Sequence, residues 1–309
     1  RADRRHRTEN PSMLPLILSI TALSKPPVVL VPGFGNAVVD YISPLSQSED
    51  VGLCSVLRRR GFNDINVVPV QRWEWVRVAG GLTDPDFYTC QQRPTGRAYG
   101  WFVQRIRDEI DAARARTGQR VLVVAHSAGG WLARAALGGV PGDGAWARQS
   151  ERVSGLVTLG APHLPPPDRG TCATRGALAY TDDNYPGAFL DGVAYTTVAG
   201  TAIVGNEEAA ADADAPTPSA GAADAVYAER GEGSYARVAY VNYKALSGDG
   251  TAAGDGVIPV AVAHLDGARQ LTLENVLHSI NEAGTTLPTD RWYGSEAVVD
   301  RWLAELELD

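Results

Sequence analysis

The segment Val121 to Trp131 reads VLVVAHSAGGW, and it constrains the fold more than any other stretch of the chain. Its opening apolar run, Val121 to Val124, reads as a strand buried on both faces. That strand gives way at once to Ser127, with Ala125 two residues before it and Gly129 two after. Small residues are required at those positions because a sharp strand-to-helix turn leaves no room for a side chain against the neighbouring backbone. Gly130 then lets the next helix, Trp131 to Leu137, lie close to the sheet. Such a unit raises Ser127 above the carboxyl edge of a sheet, at the positive end of a helix.

The flanking sequence supplies the alternation that this unit needs. Pro27 to Val31 (PVVLV) is a β-branched run closed by Pro32, Gly33, Phe34 and Gly35, which predicts a central strand ending in a tight loop. Leu53, Val56 and Leu57 keep helical spacing, Arg58 to Arg60 put cations where the helix dipole favours them, and Gly61 stops the turn. Ile65 to Val70 is a strand whose pairing ends near Pro69 or which lies near an edge. Phe102, Ile106, Ile110 and Ala113 mark an amphipathic helix, and Val153 to Leu159 is another strand. Strand and helix in this order predict an α/β fold: a mostly parallel sheet covered on both faces. From Pro162 to Glu232 the pattern weakens, although Val193 to Val198 reads as a strand. Glu207 to Ala225, rich in Ala, Asp and Pro, reads as a low-complexity surface insertion. Sheet-like sequence returns at Arg237 to Val241 and at Leu271 to Val276, and an amphipathic helix, Glu296 to Leu308, closes the chain.

With 309 residues, 44% apolar and 21% charged, the chain can bury a sizeable core in one large α/β domain. The balance of 28 Lys+Arg against 36 Asp+Glu gives a formal charge of -8 without a basic stripe, which argues against nucleic acid as a partner. Three cysteines are too few for a disulfide scaffold. Cys54 sits in an apolar helical pattern and reads as an inert core thiol, whereas Cys90 and Cys172 lie in loop-like sequence and could form one bridge. The chain opens on Arg1, as a processed product would, with the basic, polar RADRRHRTEN expected to be disordered. Met13 to Leu23 is apolar but broken by Pro15 and shorter than the roughly 20 residues a bilayer span needs. It reads as a packed segment in preference to leftover targeting sequence. The expected organisation is an N-terminal segment over 1–25 and one domain over 26–309, carrying a cap or loop insertion at about 162–235.

On these residues the chain resembles the α/β-hydrolase lipases and esterases. The usual G-x-S-x-G begins here with Ala125, an A-H-S-x-G variant that several small lipases share. Pro32 to Gly35 resembles the lipase oxyanion loop, and Leu159 to His163 (LGAPH) the strand end that precedes a lid. Gly254 to Pro259 (GDGVIP) is similar to the acid-bearing turn of lecithin-cholesterol acyltransferase-like and glycosylphosphatidylinositol deacylase-like lipases, with a looser similarity to plant and cyanobacterial members. The resemblance covers Pro27 to about Ile280, with the middle insertion unmatched. It implies the α/β-hydrolase fold with a cap or lid after the sixth strand; the cysteine and histidine spacings do not suit zinc and Gly33 and Gly35 lack the third glycine of a dinucleotide fingerprint, so no metal and no cofactor are expected. A chloroplast location is one implication, with the cytoplasm as the other.

A serine hydroxyl becomes a nucleophile only when an imidazole takes its proton, and that imidazole must be oriented by a carboxylate. Of the five histidines, His6 lies in the basic tail, His126 adjoins Ser127 but must point away from it, and His163 precedes the insertion. His278 and, as the alternative, His264 remain; the chain order Ser, acid, His of this fold favours His278. Among Asp249, Asp255 and Asp266, the candidate acid is Asp255, held between two glycines before Val257 and Ile258, with Asp249 as the alternative. Backbone N–H groups of Ala128 and Phe34 are the expected oxyanion-hole donors. The expected activity is hydrolysis of carboxylic esters through an acyl-enzyme, with lipid esters preferred, and with contact at a membrane periphery if the ester is a lipid. Acyl transfer by the same triad and a non-catalytic apolar-ligand-binding protein are the alternatives.

Overall fold

A strand with apolar residues on both faces buries them only inside a covered sheet, and the computed structural model puts Val28–Val31 and Val121–His126 there, buried along their whole length. The structure describes residues 25–138, 151–210, 232–282 and 285–307, with side chains from 235 in the third of these stretches. The basic tail and Met13 to Leu23 lie outside the described residues.

The elements are β1 (Val28–Val31), α1 (Leu53–Arg59), β2 (Ile65–Val67), α2 (Gly100–Thr117), β3 (Val121–His126), α3 (Ala128–Gly138), β4 (Val153–Leu159), α4 (Ala177–Asn184), β5 (Ala194–Thr201), β6 (Ile203–Val204), α5 (Glu232–Ser247), β7 (Ala253–Gly254), β8 (Arg269–Glu274) and α6 (Glu296–Leu303). Six strands form one sheet in the order β2-β1-β3-β4-β5-β8, and every pairing is parallel. Strands β6 and β7 form a separate antiparallel pair.

Alternate residues along the strands feed two cores. Val29, Val31, Val121, Val123 and Ala125 face Phe102, Ile106 and Ile110 of α2 and Trp131, Leu132 and Ala135 of α3. Val28, Leu30, Leu122 and Val124 face Leu53, Val56 and Leu57 of α1 and Val298, Val299 and Trp302 of α6. Each such side chain, fully buried, contributes about 1.5–3 kcal/mol. On the surface, Arg60 ties α1 to α6 through Glu296 and through a 2.7 Å pair with Asp300.

The register then decides where the loops emerge. Val31 of β1 pairs with Ala125 of β3, and His126 pairs with Leu159 of β4. The loop after β1 and the turn after β3 therefore leave the carboxyl edge side by side.

Several boundaries differ from the sequence expectation. Strand β2 stops at Val67, two residues before Pro69, which cannot donate to a ladder. Arg237 to Val241, expected as sheet, lies inside α5. Its buried residues Tyr235, Val238, Ala239 and Tyr243 follow helical spacing, so the core it meets outweighed the aromatic and β-branched content. The last helix ends at Leu303, short of the expected Leu308, which lies outside the described residues. Between β4 and β5 the chain contributes α4, and β5 itself falls within the expected 162–235 region. Of the low-complexity segment, Glu207–Ala210 is a helical turn and 211–225 lies outside the described residues. All three cysteines are free, so Cys90 and Cys172 are not bridged. Among the described residues no helix is long and apolar enough to cross a membrane.

Candidate active site

The turn from β3 into α3 holds Ser127 at φ 52°, a left-handed conformation that costs a non-glycine residue about 1–3 kcal/mol. Its amide donates to the Leu159 carbonyl at 2.9 Å, which pins the turn to the end of β4. The geometry also explains two glycines. A Cβ at Gly129 would lie 2.6 Å from the Val31 carbonyl oxygen and 2.8 Å from that of Pro32. A Cβ at Gly33 would lie 2.7 Å from the Cβ of Ser127. The loop after β1 can therefore approach the serine only because it carries no side chain there.

Asp255 follows β7 in a tight turn, fully buried. Its Oδ1 accepts from the amides of Val257 (3.0 Å) and Ile258 (2.7 Å). Its Oδ2 accepts from the Tyr293 hydroxyl at 2.9 Å and lies 2.8 Å from Nδ1 of His278. The main chain repeats the link, since the His278 amide donates to the Asp255 carbonyl at 3.0 Å. At the other end of the same ring, Nε2 of His278 lies 3.0 Å from Oγ of Ser127. Because an ionised carboxylate only accepts, Nδ1 carries the hydrogen and Nε2 is free to accept from the serine. The loop bearing His278 is held by a 2.5 Å pair between Glu282 and Arg291 and by the Leu277 amide on the Arg291 carbonyl.

The structure thus brings Ser127, Asp255 and His278 together and keeps the other candidates apart. His264 lies between the hydroxyls of Thr197 (2.9 Å) and Thr272 (3.0 Å). Asp249 accepts from the Thr251 amide and hydroxyl in an exposed turn, and Asp266 is exposed before β8. His163 is buried against Thr158 and Arg134, where desolvation pulls its pKa well below the ordinary value. His6 lies outside the described residues.

Phe34 follows Gly33, whose backbone closely approaches Ser127, and Ala128 follows Ser127 as the first residue of α3. Phe34 is 40% exposed and packs on Trp75 with ring centroids 5.2 Å apart. Trp75 belongs to a 3-10 segment, Arg72–Thr83, that leaves Trp73 and Val76 largely exposed. No group of three His, Cys, Asp or Glu side chains suited to a metal occurs among the described residues.

Sequence reasoning missed Tyr293, whose hydroxyl donates to Asp255 and accepts the Gly200 amide at 2.8 Å. No local pattern marks it, because it comes from a loop 38 residues beyond the aspartate. His126, expected to point away from Ser127, makes two hydrogen-bond contacts that its sequence position did not reveal. The ring is buried, its Nδ1 3.1 Å from the Tyr41 hydroxyl and its Nε2 3.2 Å from the His278 carbonyl.

A parallel sheet with a serine on the turn after its third strand, and with acid and histidine on loops further along the chain, defines the α/β-hydrolase fold. The chain overlaps the Bacillus licheniformis lipase BlEst2 in its mature form with a TM-score of 0.51, covering 93% of this chain and 94% of that one at 16% identity. The metagenomic carboxyl esterase MGS0156 overlaps with a TM-score of 0.46 at 14% identity, over 92% of this chain and 77% of its own. No protein-family model matches the chain, and no curated protein matches it.

Proposed function

We propose that this chain hydrolyses carboxylic esters through an acyl-enzyme on Ser127. The observation that carries the proposal is the His278 ring, 3.0 Å from the serine oxygen on one side and 2.8 Å from the Asp255 carboxylate on the other. In the first half-reaction Oγ bonds to the ester carbonyl carbon while its proton passes to Nε2 of His278. Asp255 orients the ring and stabilises the imidazolium without taking the proton. The amides of Phe34 and Ala128 receive the oxyanion, at about 3 kcal/mol of barrier lowering per donor. His278 then returns the proton to the departing alkoxide, leaving the acyl group on Ser127. Water repeats the sequence in reverse roles and releases the acid.

The exposed apolar rim supports lipid esters over small soluble ones. Phe34 on the loop after β1 packs on Trp75, whose chain neighbours Trp73 and Val76 are exposed, and the exposed Leu164 follows the end of β4. An acyl chain gains about 0.8 kcal/mol for each methylene it buries against such a surface.

An active-site-directed fluorophosphonate tests the nucleophile. Labelling is expected in the wild-type chain and not in Ser127→Ala, whose kcat should fall by about 10^4 to 10^6. Unchanged labelling or turnover in that variant overturns the proposal. Turnover of short-chain esters, triacylglycerol, phospholipid and galactolipid then sorts the substrate; higher kcat/KM on short soluble esters would remove the lipid preference.

A further inference from the structure

The buried ring next to the nucleophile has two nitrogens, and each is committed to a different loop. We infer that His126 is a positioning residue for the proposed hydrolysis, tying the loop that bears Phe34 to the main chain of the loop that bears His278 through one fixed tautomer. The inference rests on the reading of Ser127, Asp255 and His278 given above.

The tautomer follows from donor counting. The His278 carbonyl can only accept, so Nε2 of His126, 3.2 Å away, carries the hydrogen. Burial, with His278 beside it, pulls the pKa of His126 down to about 3, so the ring holds a single proton. Nδ1 is then bare and can only accept, which makes the Tyr41 hydroxyl, 3.1 Å away, its donor. The oxygen of that hydroxyl in turn accepts the Gly33 amide at 3.1 Å. Each bond forces the direction of the next, and the chain runs from Gly33 through Tyr41 and His126 to His278.

Both of its ends reach the serine: a Cβ at Gly33 would lie 2.7 Å from that of Ser127, and Nε2 of His278 lies 3.0 Å from Oγ. Gly33 precedes the amide assigned to the oxyanion, and His278 carries the base. The rings of Trp292 and Tyr293 close the pocket around His126, with centroids 6.0 and 6.2 Å away. A phenyl ring would fill the same space, so volume alone does not require histidine. What a phenyl ring lacks is a donor for one loop and an acceptor for the other. With both bonds in place the oxyanion donor and the base share one frame, which matters because small misplacements in a catalytic constellation cost rate.

The test compares His126→Phe, which keeps the volume, with His126→Asn, which keeps one donor and one acceptor at smaller size. We expect Asn to retain more kcat than Phe, with KM within about twofold of wild type for both. A packing role predicts the reverse order, and that result would overturn the inference. Tyr41→Phe should lower kcat about tenfold, and adding His126→Phe to it should cost no more than His126→Phe alone, since the two act as one chain. Losses that multiply, or a folded Tyr41→Phe with wild-type kcat, also overturn it. Should the variants fail to fold, nitrogen NMR of the intact chain at neutral pH still decides: a bare Nδ1 and a protonated Nε2 are expected at His126, and the opposite tautomer sinks the relay. This spectrum is independent of turnover. Retained hydrolysis in Ser127→Ala would defeat the functional reading without touching the tautomer.

Discussion

The turn that carries Ser127 and the loops that carry Asp255 and His278 are both closely packed at glycines, but only the second region adds a set of side-chain hydrogen bonds and an ion pair. Around Ser127 the atoms are close enough that two positions tolerate no Cβ, and the serine amide is fixed to a neighbouring strand. Around Asp255 and His278 close packing at Gly160 and main-chain bonds are joined by a tyrosine hydroxyl and two turn amides on the carboxylate, and by an ion pair across the loop of His278. The first region should therefore fail chiefly when atoms are added, and the second also when side-chain atoms are removed.

The largest effect is expected from adding one methyl group. Gly33→Ala would set a Cβ 2.7 Å from that of Ser127, and the loop must retreat, carrying the Phe34 amide with it. Loss of one oxyanion donor costs about 10^2 to 10^3 in kcat, with KM little changed. A kcat within tenfold of wild type would show that this loop does not need its close approach.

Removing one oxygen on the other side should cost less rate and more stability. Tyr293→Phe removes one of the four hydrogen bonds on the buried Asp255 carboxylate and takes from the Gly200 amide the hydroxyl it donates to. About 1–3 kcal/mol of unfolding free energy should be lost in urea titrations, with kcat down by about tenfold. If stability is unchanged, the loops are held by the main chain after all and the contrast between the regions fails.

The smallest effect per step is a pH dependence. His126 and His163 are both held neutral by burial, His126 near a pKa of about 3 and His163 well below its ordinary value. As pH falls below about 6.5 the unfolded chain takes a proton on each while the folded chain does not. Unfolding then consumes protons, so stability falls with decreasing pH, by up to about 1.4 kcal/mol per pH unit for each histidine. Denaturant titrations between pH 7 and 5 should show the slope before most carboxylates titrate, and His126→Asn should reduce it. A flat profile would mean that the rings are open to protonation and that the His126 site is not closed.

The same division marks what was legible in the chain. The turn at Ser127 could be read directly because its requirements are local: a strand, small residues at fixed offsets, then a helix, all within 11 positions. Asp255 and His278 were reached through the resemblance and the chain order it implies, and the alternatives His264 and Asp249 could be set aside only once distances existed. Arg237 to Val241 shows the converse, since its residue types favour sheet and only the surfaces it packs against made it helix.

Residue order alone thus determined the alternating β/α architecture and the turn at Ser127, because burial period and steric room are properties of neighbouring positions. The tertiary structure alone decided that Tyr293 bonds to Asp255 and that Tyr41 and His126 join two loops. Those contacts link residues 38, 85 and 152 positions apart, and hydrogen-bond geometry at such separations exists only after the sheet has set its register.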